Sequence, residues 1–257
     1  MTDLLAAVLD AHGGLDRWNR VARLEVSASL GGPFWASKGW PDVYRDQTIE
    51  VDARRFDIAF SPYPAAGQRS RMFTLGAAGA APAQLPAPAE RLQILDDAGA
   101  VLETRDDPRG SFPDPASRPE WDAIQTAYFT SCACWNYFTE PFVFTYPDVE
   151  VAEIAPWTEG DETWRRLAVT FPPHLPNHNP RQTFSYDDRF LLRRMDYHPE
   201  VTDSPIAHYT DEHREFGGLV FPTRRRVHVH DADGRANLDV TPITVDVDDI
   251  RVIEVDR

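Results

Sequence analysis

The chain has 257 residues, 42% of them hydrophobic, which is enough to bury a sizeable core. Its formal net charge of −15 argues against a nucleic-acid partner or an anionic membrane surface, because phosphate groups are bound by basic patches. No stretch approaches the ~20 apolar residues that a membrane-spanning helix needs. We therefore predict a soluble protein with one domain over residues 1–257, acting as a monomer or homodimer without a membrane partner.

The predicted elements begin with a short helix over residues 2–12. Thr2 can cap this helix, and Gly13 and Gly14 follow it as a stop signal. From residue 22 the apolar residues recur with a period of two, as in a half-buried strand. Strand candidates continue to residue 105, with the sequence DDAG at residues 96–99 as a hairpin turn between the last two.

One long helix is predicted over residues 118–138. Ser117 and, three residues later, Glu120 match a capping box at its start. Apolar residues then recur at helical spacing, at Trp121, Ile124, Tyr128 and Trp135. Because strand candidates precede and follow this segment, we expect an amphipathic helix that packs into the concave face of a curved sheet.

The second half, over residues 149–253, is a series of strand candidates separated by short turns. Asp187-Asp188 and Gly217-Gly218 lie at positions typical of tight turns. Short connections produce antiparallel hairpins, whereas parallel strands need long crossovers. The predicted fold is therefore mainly β, in the α+β class: an antiparallel β half-barrel, or incomplete barrel, with one central covering helix.

Four short segments resemble a known superfamily. Residues 11–18 (AHGGLDRW) look like the start of many proteins of the LolA/LolB-like lipoprotein-sorting superfamily, and residues 215–224 (EFGGLVFPTR) are similar to its late hairpin. Residues 121–137 and 164–167 resemble an uncharacterised bacterial family near it. The resemblance implies an incomplete antiparallel barrel, closed by helices, whose apolar hollow takes up lipid-like ligands.

The start of the chain bears on its location. Residues 1–5 lack the basic segment and the long apolar segment of a signal peptide, and no lipobox cysteine is present. Cys132 and Cys134 are too close for an ordinary disulfide and are expected to be small buried thiols. These features predict a cytoplasmic protein.

Histidines identify the region where chemistry is most expected. Seven of the eight lie between His174 and His230, within the second series of strands. Imidazole titrates near neutral pH, binds metals and transfers protons. His178 lies at the entry to a strand, where side chains of barrel folds often face a pocket. Its alternative role is a hydrogen bond to the loop backbone.

The candidate acid–base residues are imidazole, carboxylate and phenol groups on neighbouring strands. A general base that works near neutral pH is most easily built from such a set. We predict as catalytic candidates His178, Asp196, Tyr197, His208 and His213. On the strand that contains the last of these, Asp211 and His213 share a face, a pattern that an ordinary solvated face also produces.

Other side chains are candidates for ligand binding. On or near the long helix these are Tyr128, Trp135 and Tyr137, although aromatic residues at helical spacing more often belong to a core. On the strands they are Gln182, Arg194 and Tyr209. Arg194 and Asp196 share one strand face, either as a surface ion pair or in a hollow that holds a carboxylate or hydroxyl of a ligand.

No cofactor is predicted. The sequence has no glycine-rich phosphate loop, no nucleophile elbow and no complete metal-ligand spacing. A metal site would have to draw on His178, His208 and His213, with a fourth position for water. We expect no stoichiometric metal and no organic cofactor.

Two functions follow from these features. One is an enzyme that converts a small, largely apolar molecule by cofactor-free acid–base catalysis, such as isomerisation, cyclisation, dehydration or hydrolysis. The alternative is a non-catalytic carrier of a lipophilic ligand. The observation that separates them is whether the pocket beneath the long helix contains a histidine with a carboxylate in reach, or only hydrocarbon.

Overall fold

The computed structural model of the protein describes residues 2–75, 89–117 and 120–255. Its strands are β1 (Val21–Gly31), β2 (Gln47–Asp52), β3 (Asp57–Ser61), β4 (Gln68–Leu75), β5 (Ala89–Asp96), β6 (Val101–Asp106), β7 (Glu150–Glu159), β8 (Glu162–Thr170), β9 (Arg181–Tyr186), β10 (Leu192–Tyr197), β11 (Ile206–Phe216), β12 (Leu219–Val229) and β13 (Ile243–Glu254). Its α-helices are α1 (Asp3–Ala11), α2 (Leu15–Trp18), α3 (Pro33–Ser37) and α4 (Ala123–Thr139). Among the described residues no helix is long and apolar enough to cross a membrane.

The described strands form one continuous antiparallel sheet in the order β6-β5-β4-β3-β2-β1-β13-β12-β11-β10-β9-β8-β7. The first and last strands of the chain, β1 and β13, pair at its middle, and β6 and β7 form its two edges. The sheet is therefore open. The predicted half-barrel with a central covering helix is confirmed.

The order of the strands explains the position of α4. This helix lies between β6 and β7 in the sequence, and these strands are the opposite edges of the sheet. Its 17 residues, at 1.5 Å per residue, span about 25 Å. The helix carries the chain from one edge toward the other across the concave face, where it contacts β3, β4 and β5.

The start of α4 differs from the prediction. The helix begins at Ala123 rather than at residue 118, which lies outside the described residues. Its capping box is Asp122 with Gln125: the Asp122 carboxylate accepts from the Gln125 N–H at 2.8 Å, and the Gln125 side chain accepts from the Asp122 N–H at 2.9 Å. The Ser117 hydroxyl instead donates to the Asp114 carbonyl.

α4 is also less amphipathic than predicted. Every residue from Ile124 to Thr139 is buried, as in a helix enclosed on all sides. Its threonines are accommodated because their hydroxyls donate to backbone carbonyls one turn earlier, at 3.0 Å for Thr126 and 2.8 Å for Thr139. The helix is thus part of the core, and Cys132 and Cys134 are the buried free thiols that the sequence predicted.

Two of the segments that carry the superfamily resemblance contact each other. Thr2 caps α1 as predicted, and after this helix Gly13 has φ +112°. A Cβ at Gly13 would lie 2.2 Å from the Gly218 carbonyl oxygen, so only glycine permits this approach. The Val220 N–H donates to the His12 carbonyl at 3.1 Å, and the Arg17 guanidinium donates to the Gly217 carbonyl at 2.6 Å.

Candidate functional site

A cavity of about 170 Å³ lies between α4 and the inner face of the sheet. We call it the α4 cavity. Strands β1, β10, β11, β12 and β13 contribute to its wall, together with α3 and the turn after β10. It is lined by Leu30, Phe34, Trp35, Phe129, Thr130, Ala133, Cys134, Tyr137, Tyr197, Pro199, Thr202, Ser204, Ile206, Val227, Val229, Pro242, Ile243 and Val245. As far as the chain is described, this wall contains no acidic or basic side chain and no histidine.

The apolar character of the α4 cavity follows from the side-chain periodicity of the strands and the helix that form its wall. Successive side chains of a strand point to opposite faces, so Val227 and Val229 of β12 share the inner face. On α4, residues four apart lie on one side of the helix, which aligns Phe129, Ala133 and Tyr137 toward the sheet. Val229 is 40% exposed and marks the end of the cavity that opens to solvent.

Four buried rings adjoin the cavity: Tyr137, His178, Tyr197 and His208. We call them the inner aromatic group. The hydroxyl oxygens of Tyr137 and Tyr197 are 2.9 Å apart and hydrogen-bonded. The ring of His208 meets Tyr137 edge-on at 4.7 Å between centroids, and the ring of His178 stacks on Tyr197 at 5.8 Å. The structure therefore brings together three of the five predicted catalytic candidates.

Burial shifts the pKa values of this group away from neutrality. Desolvation lowers the pKa of His178 to about 3 and the pKa of His208 well below its ordinary value, with Arg109 and Arg225 respectively contributing in the same direction. Burial raises the pKa of Tyr137 and of Tyr197. At neutral pH both imidazoles are unprotonated and both phenols keep their protons, so the group has no net charge.

One buried ion pair lies next to this group. The Arg225 guanidinium donates to the Glu140 carboxylate and to the Tyr137 carbonyl, each at 2.9 Å. It also lies over the Tyr137 ring, 4.6 Å from the centroid. Burial raises the pKa of Glu140 to about 7, although Arg225 opposes the shift. The Arg225 guanidinium is therefore paired with Glu140, while its Nε and the second Glu140 oxygen have no hydrogen-bond partner among the described residues.

Arg194 and Asp196 lie on the outer face of the sheet, because they alternate along β10 with the inward-facing Met195 and Tyr197. The Arg194 guanidinium donates to Asp196 at 2.6 Å, to Glu159 at 2.7 Å and to the Gly234 carbonyl at 2.6 Å. Its hydrogen-bonding capacity is therefore used by the protein. The sequence left two alternatives for Arg194 and Asp196, a surface ion pair or a ligand-binding hollow. The structure shows the ion pair, with the arginine buried.

Tyr209 belongs to the same outer network. Its hydroxyl donates to Glu159 at 2.5 Å and accepts from Arg194 at 3.1 Å. The Trp157 ring covers the Arg194 guanidinium at 5.1 Å, which explains why the arginine is only 2% exposed. The sheet therefore separates Arg194, Asp196 and Tyr209 from the α4 cavity.

The remaining predicted residues lie elsewhere. His213 meets His12 of the N-terminal segment edge-on at 6.5 Å, and burial lowers the pKa of each to about 4. The Gln182 amide donates to the Asn179 carbonyl at 3.1 Å. The Trp135 indole donates to two backbone carbonyls of the turn between β2 and β3, and Tyr128 packs against Phe112. These side chains do not line the cavity, and their predicted roles stay predictions.

No metal centre is built from the described residues. Within them no group of three or more His, Cys, Asp or Glu side chains is arranged to hold an ion. The three histidines considered as ligands are divided: His178 and His208 adjoin Tyr197, whereas His213 adjoins His12.

Sequence reasoning missed most of the cavity wall. The valines of β12 and the residues at the start of β13 have no polar group to mark them as functional, and their contribution comes from their position beneath α4. Arg225 lies between Arg224 and Arg226 in the sequence, and residue type alone does not distinguish it from them. The alternation of β12 was the available signal, because it turns only the middle arginine inward.

Solved structures of similar fold were found by structural comparison. A DUF1329 family protein from Desulfovibrio piger is 12% identical, with a TM-score of 0.50 over 98% of this chain and 94% of that one. A domain described as that of an outer membrane lipoprotein-sorting protein, from Vibrio parahaemolyticus, is 7% identical, with a TM-score of 0.52 over 97% and 91%. A LolA superfamily protein from Nitrosomonas europaea is 9% identical, with a TM-score of 0.43 over 98% and 93%. No protein-family model matches the chain, and no curated protein sequence matches it significantly.

The first two likenesses confirm the predicted fold. They also correct the predicted location. The Vibrio parahaemolyticus domain shares nearly the whole fold and is described by a role at the outer membrane, which points away from the cytoplasm. The prediction of a cytoplasmic protein, made from the first residues and the absence of a lipobox cysteine, is therefore wrong.

Proposed function

We propose that the protein binds a small, uncharged, largely apolar molecule in the α4 cavity and carries it without converting it. The observation that carries this proposal is the cavity itself, an opening in the core lined by aliphatic and aromatic side chains. Ligand sites are typically concave and apolar with a few placed polar groups. The likeness to a lipoprotein-sorting domain supports cargo binding rather than chemistry.

The geometry supports a carrier better than an acid–base enzyme. A general base must lie within hydrogen-bond reach of its substrate and titrate near the working pH. The described wall of the cavity has no histidine or carboxylate, and the carboxylate proposed for catalysis, Asp196, is on the outer face. The nearest imidazoles, His178 and His208, have pKa values far below neutrality because they are buried.

The size of the α4 cavity limits the ligand. At about 170 Å³ it is close to the ~150 Å³ of an apolar protein cavity known to hold benzene. Drug-sized ligands occupy pockets of roughly 300–1,000 Å³. The cavity therefore accommodates one ring or a short aliphatic chain, and a longer chain would extend past Val229 into solvent.

Calorimetric titration with toluene tests this function, using two alanines of α4 as a matched pair. Ala133 lines the cavity, whereas Ala123 is half-buried at the first turn of the same helix. We expect saturable binding to the native protein and to Ala123→Leu, and at least tenfold weaker binding to Ala133→Leu, whose larger side chain fills the cavity. Absence of saturable binding, or equal binding by the two variants, would overturn the proposal.

A further inference from the structure

We propose that the α4 cavity selects uncharged ligands with one hydroxyl or carbonyl oxygen, which the hydroxyls of Tyr137 and Tyr197 bind. This inference rests on the proposed function and specifies its ligand class. It means that a hydrocarbon of equal size, a carboxylate and an ammonium ion should all bind less well than a neutral oxygen compound.

Three aliphatic hydroxyl groups of the cavity wall donate to the protein backbone. Thr130 donates to the Thr126 carbonyl at 3.0 Å, Thr202 to the Pro199 carbonyl at 3.4 Å and Ser204 to the Thr202 carbonyl at 3.3 Å. Each of these hydroxyls thus uses its single proton within the backbone. They offer a ligand no donor.

The two phenols differ from these hydroxyls. Both are buried, and within the described chain the only side-chain hydrogen bond of either is the one that joins them, at 2.9 Å. A pair of hydroxyls has two protons, and one shared hydrogen bond uses one of them. The second proton is therefore free to be donated to a ligand oxygen, and the remaining lone pairs can accept from a ligand hydroxyl.

A second, independent observation comes from His208. Its side chain is fully buried, and neither ring nitrogen has a hydrogen-bond partner among the described residues. The ring contacts Tyr137 at 4.7 Å and Tyr197 at 6.4 Å. His208 is not part of the described cavity wall, but it adjoins the two phenols that are. Because buried polar atoms are rarely left unpaired, its nitrogens add to the unused hydrogen-bonding capacity around those phenols.

The charge of the surroundings excludes ionic ligands. No acidic or basic side chain belongs to the described wall of the cavity, and the neighbouring Arg225 is already paired with Glu140 at 2.9 Å. An ion that enters an apolar cavity loses its hydration without gaining a partner. The Arg225 guanidinium on the Tyr137 ring further opposes a cationic ligand.

Four single-ring compounds test the selectivity at pH 7: toluene, phenol, benzoate and benzylammonium. Phenol replaces the methyl group of toluene by a hydroxyl at nearly constant size. Calorimetric titration should give about tenfold tighter binding of phenol than of toluene, as expected for about one good hydrogen bond. Benzoate and benzylammonium should bind at least tenfold more weakly than phenol.

Two Tyr→Phe variants locate the selectivity. The double variant Tyr137→Phe with Tyr197→Phe removes both protons of the pair and should lose the preference for phenol while toluene binding stays within about twofold. Tyr186→Phe removes a hydroxyl from another buried tyrosine that is not part of the cavity wall, and should keep the preference. Thermal unfolding of each variant checks that it is folded.

The two proposals fail in different ways. Equal binding of toluene and phenol by the native protein, tight binding of benzoate, or an unchanged preference in the folded double variant Tyr137→Phe with Tyr197→Phe would overturn the selectivity alone. Absence of binding by toluene and phenol would overturn the proposed function, and this inference with it.

Discussion

On strand β10, Met195 and Tyr197 point toward α4, whereas Arg194 and Asp196 point to the outer face. Both faces are covered by other parts of the protein. On the outer face, the Arg194 guanidinium has hydrogen-bond partners in every direction. On the inner face, the Tyr137–Tyr197 hydroxyl pair and His208 keep unused hydrogen-bonding capacity beside an apolar cavity.

This difference separates a structural network from a binding site. A buried polar group with all its partners present specifies one conformation of the protein. A buried polar group that lacks a partner is destabilising unless something supplies it. We therefore expect changes on the outer face to alter stability without altering ligand binding, and changes to the inner phenols to do the reverse.

The largest effect is expected from the Arg225–Glu140 ion pair, which is buried on the inner face. Glu140→Gln, studied at pH 8, leaves the Arg225 guanidinium buried without its counter-charge and should lower the free energy of unfolding by about 3–5 kcal/mol. The double variant Glu140→Gln with Arg225→Met should recover most of this loss, because it buries no charge. Urea denaturation measures both, and a double variant no more stable than the single one would contradict the explanation.

Arg194→Ala breaks the outer network and should lower the free energy of unfolding by about 1.5–3 kcal/mol, through the loss of hydrogen bonds to charged groups. Arg165→Ala is the control, since its pair with Glu153 is half-exposed and worth less than ~1 kcal/mol. Toluene affinity should be unchanged in both. A large loss of affinity in folded Arg194→Ala would show that the two faces are not independent.

The buried histidines should make the protein less stable in acid. The pKa of His208 is lower in the folded state than the ~6.5 of the unfolded chain, so below pH 6.5 the unfolded chain binds the extra proton. The contribution of His208 to the free energy of unfolding is then fully present above pH 6.5. It falls as the pH decreases, by up to about 1.4 kcal/mol per pH unit.

His208→Phe retains a buried ring without a titrating group and should reduce this dependence. Urea denaturation between pH 5 and pH 8 measures the slope. His174→Phe, at a half-exposed position in the loop before β9, serves as the control. An equal slope in the native protein and in His208→Phe would contradict the assignment of a neutral, buried imidazole.

The smallest effect concerns the helix that forms the roof of the cavity. Asp122→Ala removes the acceptor for the Gln125 N–H at the start of α4 and should lower the free energy of unfolding by about 1 kcal/mol. Ser117→Ala changes the residue that the sequence suggested as the cap and should have less effect. A larger loss for Ser117→Ala would contradict the observed helix start.

The sequence predicted the fold better than the site. The period-two patterns and short turns determine an antiparallel sheet, and the alternation of β10 correctly divided Arg194 and Asp196 from Met195 and Tyr197. Alternation does not say which face is inward when both are buried. Here Trp157, from the end of β7, covers Arg194, and this contact depends on the tertiary structure.

The cavity could not be predicted from the sequence for a related reason. Polar residue types drew attention to His213 and Asp196, but proximity in sequence does not place them together. The cavity lies between α4 and five strands that are far apart in the sequence, and no local pattern encodes that arrangement. The sequence nevertheless indicates all four rings of the inner aromatic group, Tyr137 as an aromatic residue of the long helix and Tyr197, His178 and His208 as candidate acid–base groups.

The most direct test of the account is methyl NMR of the native protein during a titration with toluene. If the ligand occupies the α4 cavity, the methyl resonances of Leu30, Val227 and Val245 should shift and saturate together. Those of Val101 and Leu102, exposed on the edge strand β6, should not move. Toluene should remain chemically unchanged. Saturable shifts confined to residues outside the cavity, or no saturable shifts at all, would contradict the central claim that this cavity is the binding site.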